Sequence, residues 1–206
     1  MERVLKLYTA PHDPDEPLIA MDESSTQLLG HVHEPQPMKP GRPRRQDDQY
    51  RRNGVRALFM FFDPLRGWRR VTSSGQRTKQ DWAREVKRLL DQDYPQARRV
   101  HLLCDNLNVH DESSLYETFP PAEAERLLDR LQIHYTPKHG SWLNVAEIEL
   151  SAMQRQCLDR RIDSVEKLDA ELDAWSAARN LERCGVSWRF TTHDARVRLR
   201  HLYPPV

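Results

Sequence analysis

The spacing of the hydrophobic residues changes near residue 78, and this change limits the chain to a small group of folds. Before that point the apolar residues form strand-like runs, two of which flank a turn at 63–67 that contains Pro and Gly. After it, helical spacing alternates with short apolar runs. The predicted strands are 18–21, 55–62, 68–73, 100–104 and 133–135. Strands first and β-α alternation afterwards predict an α/β domain with a mixed central sheet flanked by helices.

Helices are predicted where a capping residue or a helix-starting proline precedes an apolar stripe. The predicted helices begin after Thr78 (79–93), at Pro121, after Ser141 (to about 158), after Ser164 and near Thr192. Seven of the fourteen prolines precede residue 44. Because proline is poorly tolerated inside helices, the first 43 residues are predicted to be extended, with short strands and without helices.

Composition excludes several classes of protein. The longest apolar run, 57–62, is far too short to cross a bilayer, and five Trp, six Tyr and five Phe can fill a core. The three cysteines have no close pair, which argues against a disulfide framework or a zinc site and favours a reducing, cytoplasmic compartment. We find no signal-peptide pattern at the start and no glycine motif for cradling a nucleotide.

The near-neutral net charge of +1 conceals a basic segment at 39–56. Seven Lys or Arg and two Asp give this segment a charge of +5 over 18 residues. Such a run attracts phosphates, although a solvated charged loop would have the same composition. The candidates for DNA contact in it are Lys39, Arg42, Arg44 and Arg45.

Acidic residues follow two of the predicted strands. Asp22 comes directly after 18–21 and Asp105 directly after 100–104, while Glu147 and Glu149 lie in the helix predicted after Ser141. Carboxylates at strand ends often act as turn formers, but that edge of an α/β sheet is also where catalytic groups gather. Three carboxylates brought together repel one another unless a cation neutralises them, and Mg²⁺ or Mn²⁺ suits such oxygen ligands. Two ions about 4 Å apart would clamp an in-line phosphoryl displacement.

Several segments resemble the DDE transposases of the insertion-sequence-630 type, a branch related to mariner elements. The stretch 134–149, His-Tyr-Thr-Pro-Lys-His-Gly-Ser-Trp-Leu-Asn-Val-Ala-Glu-Ile-Glu, is similar to the motif that carries their third carboxylate. Asp22-Glu23 resembles the first-Asp motif, and 105–110 matches the Asp-Asn-(x)3-His pattern of the second. Three further segments also resemble sequences of this family: 38–43, 51–54 and 188–192.

The resemblance implies a ribonuclease-H-like fold and metal-dependent DNA strand cleavage and strand transfer. Carried over by position, Asp22, Asp105 and Glu147 form the catalytic and metal-binding triad for two Mg²⁺ or Mn²⁺ ions. Helical periodicity cannot choose between Glu147 and Glu149, but the familial pattern Leu-Asn-x-x-Glu selects Glu147. Glu149 is then expected to be solvated or salt-bridged.

Further residues near the triad are expected to support it. Asn106 and His110 flank Asp105, where one could orient the carboxylate and the other contact the scissile phosphate or a nucleophilic water; turn and cap chemistry is the alternative. Lys138, His139 and Trp142 precede the Glu147 helix, where they could bind phosphate and stack on a base. For Lys138 and Trp142 the alternatives are a solvated lysine and a core tryptophan.

The resemblance also predicts how the chain is organised. Residues 1–17 are an extended lead-in, 18–185 the catalytic domain and 186–206 a C-terminal extension with a short helix. The 41 residues between Asp105 and Glu147 (106 through 146) exceed the common spacing, and the surplus is placed in 111–123 as a lid or surface loop.

The expected partners are the ends of a transposable element and target DNA, bound by a homodimer in the bacterial cytoplasm at the nucleoid. Full transposases of this type carry N-terminal helix-turn-helix domains, so this chain is expected to be the catalytic half, with that region separate or missing. Two other classes remain open: another ribonuclease-H-like nuclease such as a resolvase, and a DNA-binding relic without catalysis.

Overall fold

Five strands form one sheet: β1 (Leu18–His31), β2 (Tyr50–Asp63), β3 (Trp68–Ser74), β4 (Val100–Cys104) and β5 (Leu131–Tyr135). The computed structural model describes residues 1–138 and 140–200. Across the sheet the order is β3-β2-β1-β4-β5; the first three strands are antiparallel, and β1, β4 and β5 are parallel. The predicted α/β architecture with a mixed sheet is confirmed.

Seven α-helices flank this sheet in the described residues: α1 (Glu2–Thr9), α2 (Lys79–Arg88), α3 (Glu112–Thr118), α4 (Pro121–Arg130), α5 (Ala146–Gln156), α6 (Val165–Leu181) and α7 (Thr192–Arg198). The predicted starts at Thr78 and Ser164 are confirmed, since both side chains accept a hydrogen bond from the first helical turn. A π-helical turn, Leu89–Asp93, extends α2 to the predicted end at 93.

The two faces of the sheet bury separate cores, and β1 contributes alternate residues to each. Leu18 and Ala20 belong to the core that α1, α5 and α6 cover. Ile19 and Met21 belong to the core that α2, α3 and α4 cover. Because side chains alternate along a strand, the next two residues, Asp22 and Glu23, are directed to opposite faces.

The prediction of an extended N-terminal segment without helices is wrong for residues 2–9, which form α1. Val4, Leu5 and Tyr8 share its buried face and pack into the same core as β1. The first proline is Pro11, so the proline-rich composition of 1–43 concealed a helix that ends before the prolines begin.

Strand β1 is longer than predicted, and Asp22 lies within it rather than past its end. Pairing with β2 continues from Ala20, opposite Phe62, to His31, opposite Tyr50. The polar residues after Met21 marked the predicted end of the strand, but pairing with β2 continues past them, and Leu28 is again buried in the core.

Two predictions between Asp105 and Glu147, one of a helix and one of a loop, need correction. The helix expected from Ser141 starts at Ala146, because Ser141–Leu143 forms a separate 3₁₀ turn. The segment 111–123, expected as a lid or surface loop, instead contains α3 and the start of α4. Asp111 caps α3, and Leu115 anchors it in the core beside α2. In the described part of the chain, no helix is both long and apolar enough to span a membrane.

Candidate active site

Asp22 lies on the central strand β1, directed to the face that α5 covers. It is half-buried, and its Oδ1 accepts a hydrogen bond from the backbone N–H of Glu23 at 2.8 Å. Burial raises the pKa of Asp22 to about 6; that hydrogen bond opposes the rise, and the negative charges of Asp105, Glu147 and Glu23 add to it. Asp22 is therefore within electrostatic range of the two other carboxylates predicted to join it.

Asp105 directly follows β4, the parallel neighbour of β1, and its side chain is 39% exposed. One of its oxygens, Oδ1, lies 2.7 Å from Nδ1 of His110, which also contacts the Asp105 backbone carbonyl at 3.1 Å. The other ring nitrogen of His110, Nε2, lies 2.8 Å from Oε1 of Glu23. Ligand atoms of Glu23, Asp105 and His110 thus lie within 4.8 Å of one another.

The imidazole of His110 is fully buried between these two carboxylates. Burial alone would lower its pKa, but hydrogen bonds to Asp105, Cys104 and Glu23 outweigh that effect and raise the pKa of His110 to about 12. At neutral pH both ring nitrogens of His110 therefore carry protons and can donate to Asp105 and Glu23.

Glu147 occupies the first turn of α5 with its side chain exposed. Asn144 fixes the start of this helix: its Nδ2 donates to the Met21 carbonyl at 3.0 Å, and its Oδ1 accepts from the Ala146 N–H at 3.2 Å. The buried hydroxyl of Tyr8 donates to the Leu143 carbonyl at 2.6 Å. The Leu-Asn-x-x-Glu spacing thus has a physical basis, because Asn144 ties the helix that carries Glu147 to the residue preceding Asp22.

Glu149 has a different environment from Glu147, although it lies on the same helix. It is 2% exposed and forms a salt bridge with Nε of Arg69 at 3.0 Å. Arg179 approaches the same carboxylate with two nitrogens, at 2.8 and 3.1 Å. Of the two environments expected for Glu149, solvated or salt-bridged, the second is confirmed, and the salt bridge is buried.

The remaining predicted residues surround the helix start and the Asp105 loop. Asn106 and Lys138 are exposed, and His139 lies outside the described residues. Trp142 is 43% exposed, so the alternative of a core tryptophan is wrong. Its ring stacks at 6.3 Å on Trp188 and meets Phe190 edge-on at 5.7 Å, forming an aromatic platform beside α5.

The first part of the basic segment belongs to an exposed hairpin between β1 and β2, and its residues 50–56 belong to β2. Lys39 and Arg42 exchange two backbone hydrogen bonds at the tip of the hairpin, and Arg44 and Arg45 are exposed beside them. The hairpin encloses a cavity of about 420 Å³. Its lining residues are Gln36, Pro37, Lys39, Arg42, Pro43 and Arg45. Nothing opposes their positive charge in this lining, so the cavity suits an anion.

Sequence reasoning did not identify Glu23, Asn144 and Tyr8 as residues that organise the site. Because side chains alternate along β1, Glu23 is directed to the opposite face from Asp22. The loop after β4 places His110 on that face, in contact with Glu23. Asn144 is the Asn of the familial Leu-Asn-x-x-Glu pattern, so the sequence did contain a signal that it is important. Tyr8 belongs to the helix that the proline-rich composition concealed.

A mixed sheet in this strand order, with acidic residues on β1, after β4 and at the start of α5, defines the ribonuclease-H-like class of domain. The chain belongs to the DDE superfamily endonucleases, whose family model matches residues 17–169. The resemblance identified from the motifs is confirmed at this level. No match was found among curated proteins.

Solved structures of a mariner transposase share the fold. The Mos1 transposase paired-end complex with the left transposon end is 18% identical, with a TM-score of 0.55 over 89% of this chain and 58% of that one. The catalytic domain of Mos1 mariner transposase is 15% identical, with a TM-score of 0.53 over 82% of this chain and 76% of that one. The chain thus spans little more than half of the first of these proteins.

Proposed function

We propose that this chain is the catalytic domain of a DDE transposase of the insertion-sequence-630 type, which cuts DNA strands and joins a freed 3′-hydroxyl to target DNA. The observation that carries the proposal is that three acidic residues lie on adjacent elements: Asp22 on β1, Asp105 directly after the parallel neighbour β4, and Glu147 on α5, whose start Asn144 ties to the Met21 carbonyl. The negative charges of Asp105 and Glu147 also add to the rise in the pKa of Asp22 to about 6. These three residues are the proposed metal-binding catalytic carboxylates.

The donor set fits a divalent cation. Three carboxylates from β1, the β4 loop and α5 supply the oxygen ligands that Mg²⁺ and Mn²⁺ prefer, and a cation would relieve the repulsion that Asp105 and Glu147 exert on Asp22. Two such ions, when bound, would activate the attacking oxygen and stabilise the leaving one in an in-line displacement.

The chain's own residues would position these groups. His110 Nδ1 lies 2.7 Å from Oδ1 of Asp105 and contacts the Asp105 backbone carbonyl at 3.1 Å, so it would hold Asp105 while the second carboxylate oxygen binds a cation. Asn144 anchors the helix that carries Glu147 next to β1. Asn106, exposed beside Asp105, would then contact the scissile phosphate or the nucleophilic water, and the reaction would form no covalent bond between the protein and DNA.

The proposed DNA contacts come from two segments of the chain. Lys39, Arg42, Arg44 and Arg45 would bind the phosphate backbone through the exposed hairpin, and Lys138 and His139 would do so before α5. The DNA substrates would be element ends and target DNA, held by a homodimer in the bacterial cytoplasm at the nucleoid.

Trp142 is the proposed stacking residue for an unpaired base next to the cut. Replacing it with Ala is expected to weaken binding of a single-stranded oligonucleotide by about 5- to 150-fold, because a base–aromatic stack contributes ~1–3 kcal/mol. Fluorescence anisotropy at fixed salt measures this. Tyr116→Ala removes a similarly exposed aromatic (47%) from α3 and should leave the affinity unchanged. Equal affinities for wild type and Trp142→Ala would contradict the stacking role.

The experiment that tests the proposed reaction is incubation of the protein with Mn²⁺, a supercoiled plasmid and an oligonucleotide that carries a free 3′-hydroxyl. A transposase domain nicks the plasmid and joins the oligonucleotide to it. Nicking without joining would instead indicate a resolvase-like nuclease. Salt-sensitive binding without nicking would indicate a DNA-binding relic.

A further inference from the structure

The second residue of the Asp22-Glu23 pair is buried on the opposite face of the sheet. Its side chain is only 1% exposed and is directed toward the core that contains Trp82 and Met21. A carboxylate buried so deeply needs a polar partner to offset the loss of hydration. Nε2 of His110 supplies it at 2.8 Å, while the half-exposed Arg77 lies farther away at 3.9 Å.

His110 is held so that its ring has one orientation. Its side chain is fully buried, and the ring of Trp82 lies 5.8 Å away at an angle of 33°. The backbone of the same loop is fixed twice: Tyr135 Oη donates to the His110 carbonyl at 2.6 Å, and Ser114 Oγ donates to the Val109 carbonyl at 2.9 Å. The imidazole therefore has little freedom to leave Glu23 or Asp105.

We propose that Glu23 is a positioning residue for Asp105 and acts through His110. This inference rests on the proposed function, in which Asp105 is a metal ligand. Glu23 Oε1 contacts His110 Nε2 at 2.8 Å, and His110 Nδ1 contacts Asp105 Oδ1 at 2.7 Å, so the three side chains form one continuous chain. Glu23 fixes the imidazole, and the imidazole holds Asp105 in two ways, through the ion pair with its carboxylate and through a contact with its backbone carbonyl at 3.1 Å.

The two acidic residues of β1 would thus serve the same site from opposite faces of the sheet. Asp22 is directed into the site itself. Glu23 lies on the opposite face and contacts the site through His110, which the loop after β4 carries to that face. Groups that orient a metal ligand in this way commonly change metal affinity or activity by about 10- to 100-fold when they are removed.

The test begins with Glu23→Gln, which keeps the side-chain shape and removes the charge. Calorimetric titration with Mn²⁺ is expected to show a Kd about 10- to 100-fold higher than wild type, with a parallel loss of plasmid nicking. Glu117→Gln is the matched control, since Glu117 is 47% exposed on α3 and pairs with Lys79. It should bind Mn²⁺ as wild type does.

A double-mutant cycle separates positioning from a general loss of structure. If Glu23 acts through His110, Glu23→Gln combined with His110→Gln should bind Mn²⁺ no more weakly than His110→Gln alone. Losses that multiply would overturn the proposal. If circular dichroism shows that Glu23→Gln does not fold, Glu23→Asp takes its place in the same cycle, because it keeps the charge and withdraws it from His110.

The failure of this inference can be distinguished from failure of the proposed function. Wild-type protein that does not bind Mn²⁺ overturns both. Wild-type binding that is lost in Asp105→Asn but unchanged in Glu23→Gln overturns only the positioning role.

Discussion

An Asp105→Asn variant is expected to lose metal-dependent strand cleavage by about 10³-fold or more while keeping its fold. The amide cannot supply an anionic oxygen ligand, and catalytic residues that act as a unit typically lose most of the activity when one of them is removed. The substitution preserves the side-chain shape, and the amide oxygen can still accept from His110 Nδ1, which lies 2.7 Å from Oδ1 in the wild type. Plasmid nicking in Mn²⁺, compared at equal concentrations of folded protein, measures the effect.

Two further variants complete this comparison. Glu147→Gln should show a loss of similar size, because Glu147 is exposed in the first turn of α5 and belongs to the same proposed triad. Glu117→Gln, at a salt bridge on α3, should cleave as wild type does. Nicking by Asp105→Asn at the wild-type rate would refute its role as a metal ligand.

Glu149→Ala is expected to lower the free energy of unfolding by about 3–5 kcal/mol, because it removes one partner of a buried salt bridge. The substitution leaves the guanidinium of Arg69, which is fully buried, without the carboxylate that now lies 3.0 Å away. Arg179 loses the same carboxylate. Urea denaturation followed by circular dichroism measures the change.

Glu147→Ala is the control for Glu149→Ala, two residues away on the same helix. Its carboxylate is exposed, so its removal should change the free energy of unfolding by no more than about 0.5 kcal/mol. The two glutamates should therefore have opposite profiles: loss of activity without loss of stability at Glu147, and loss of stability at Glu149. Equal stabilities for the two alanine variants would contradict the assignment.

The strands and helices that the sequence predicted well are those with strong local signals. Residues 100–104 form a mostly apolar run, interrupted only by His101, between polar segments, and β4 has the same bounds. Thr78 and Ser164 are caps whose side chains bond to their own helices, so neighbouring residues alone define them.

Elements that depend on distant partners could not be predicted in this way. The polar half of β1 is a strand because β2 pairs with it as far as His31, and nothing in 22–31 alone requires that. The short helix α1 is stabilised by packing of Val4, Leu5 and Tyr8 into the sheet's core rather than by its propensity.

The residues of the candidate site likewise divide into those that a local motif predicts and those that depend on distant contacts. Periodicity could not choose between Glu147 and Glu149, and the familial motif did so. The structure shows the physical difference between them: Glu149 forms salt bridges with Arg69 and Arg179, whereas Glu147 is exposed. Glu23 was not predicted as a site residue, since its link to Asp105 passes through a side chain 87 residues away.

The most direct test of the proposed metal site is cleavage of the protein's own backbone by iron. Fe²⁺ takes the place of Mg²⁺, and ascorbate with peroxide generates hydroxyl radicals that cut the chain next to the bound ion. We expect cuts at three separated places in the chain, near Asp22, Asp105 and Glu147. Excess Mg²⁺ should suppress these cuts, and Asp105→Asn should weaken them. Cuts elsewhere, or a pattern unchanged by Mg²⁺ and by Asp105→Asn, would contradict a metal site built from these three carboxylates.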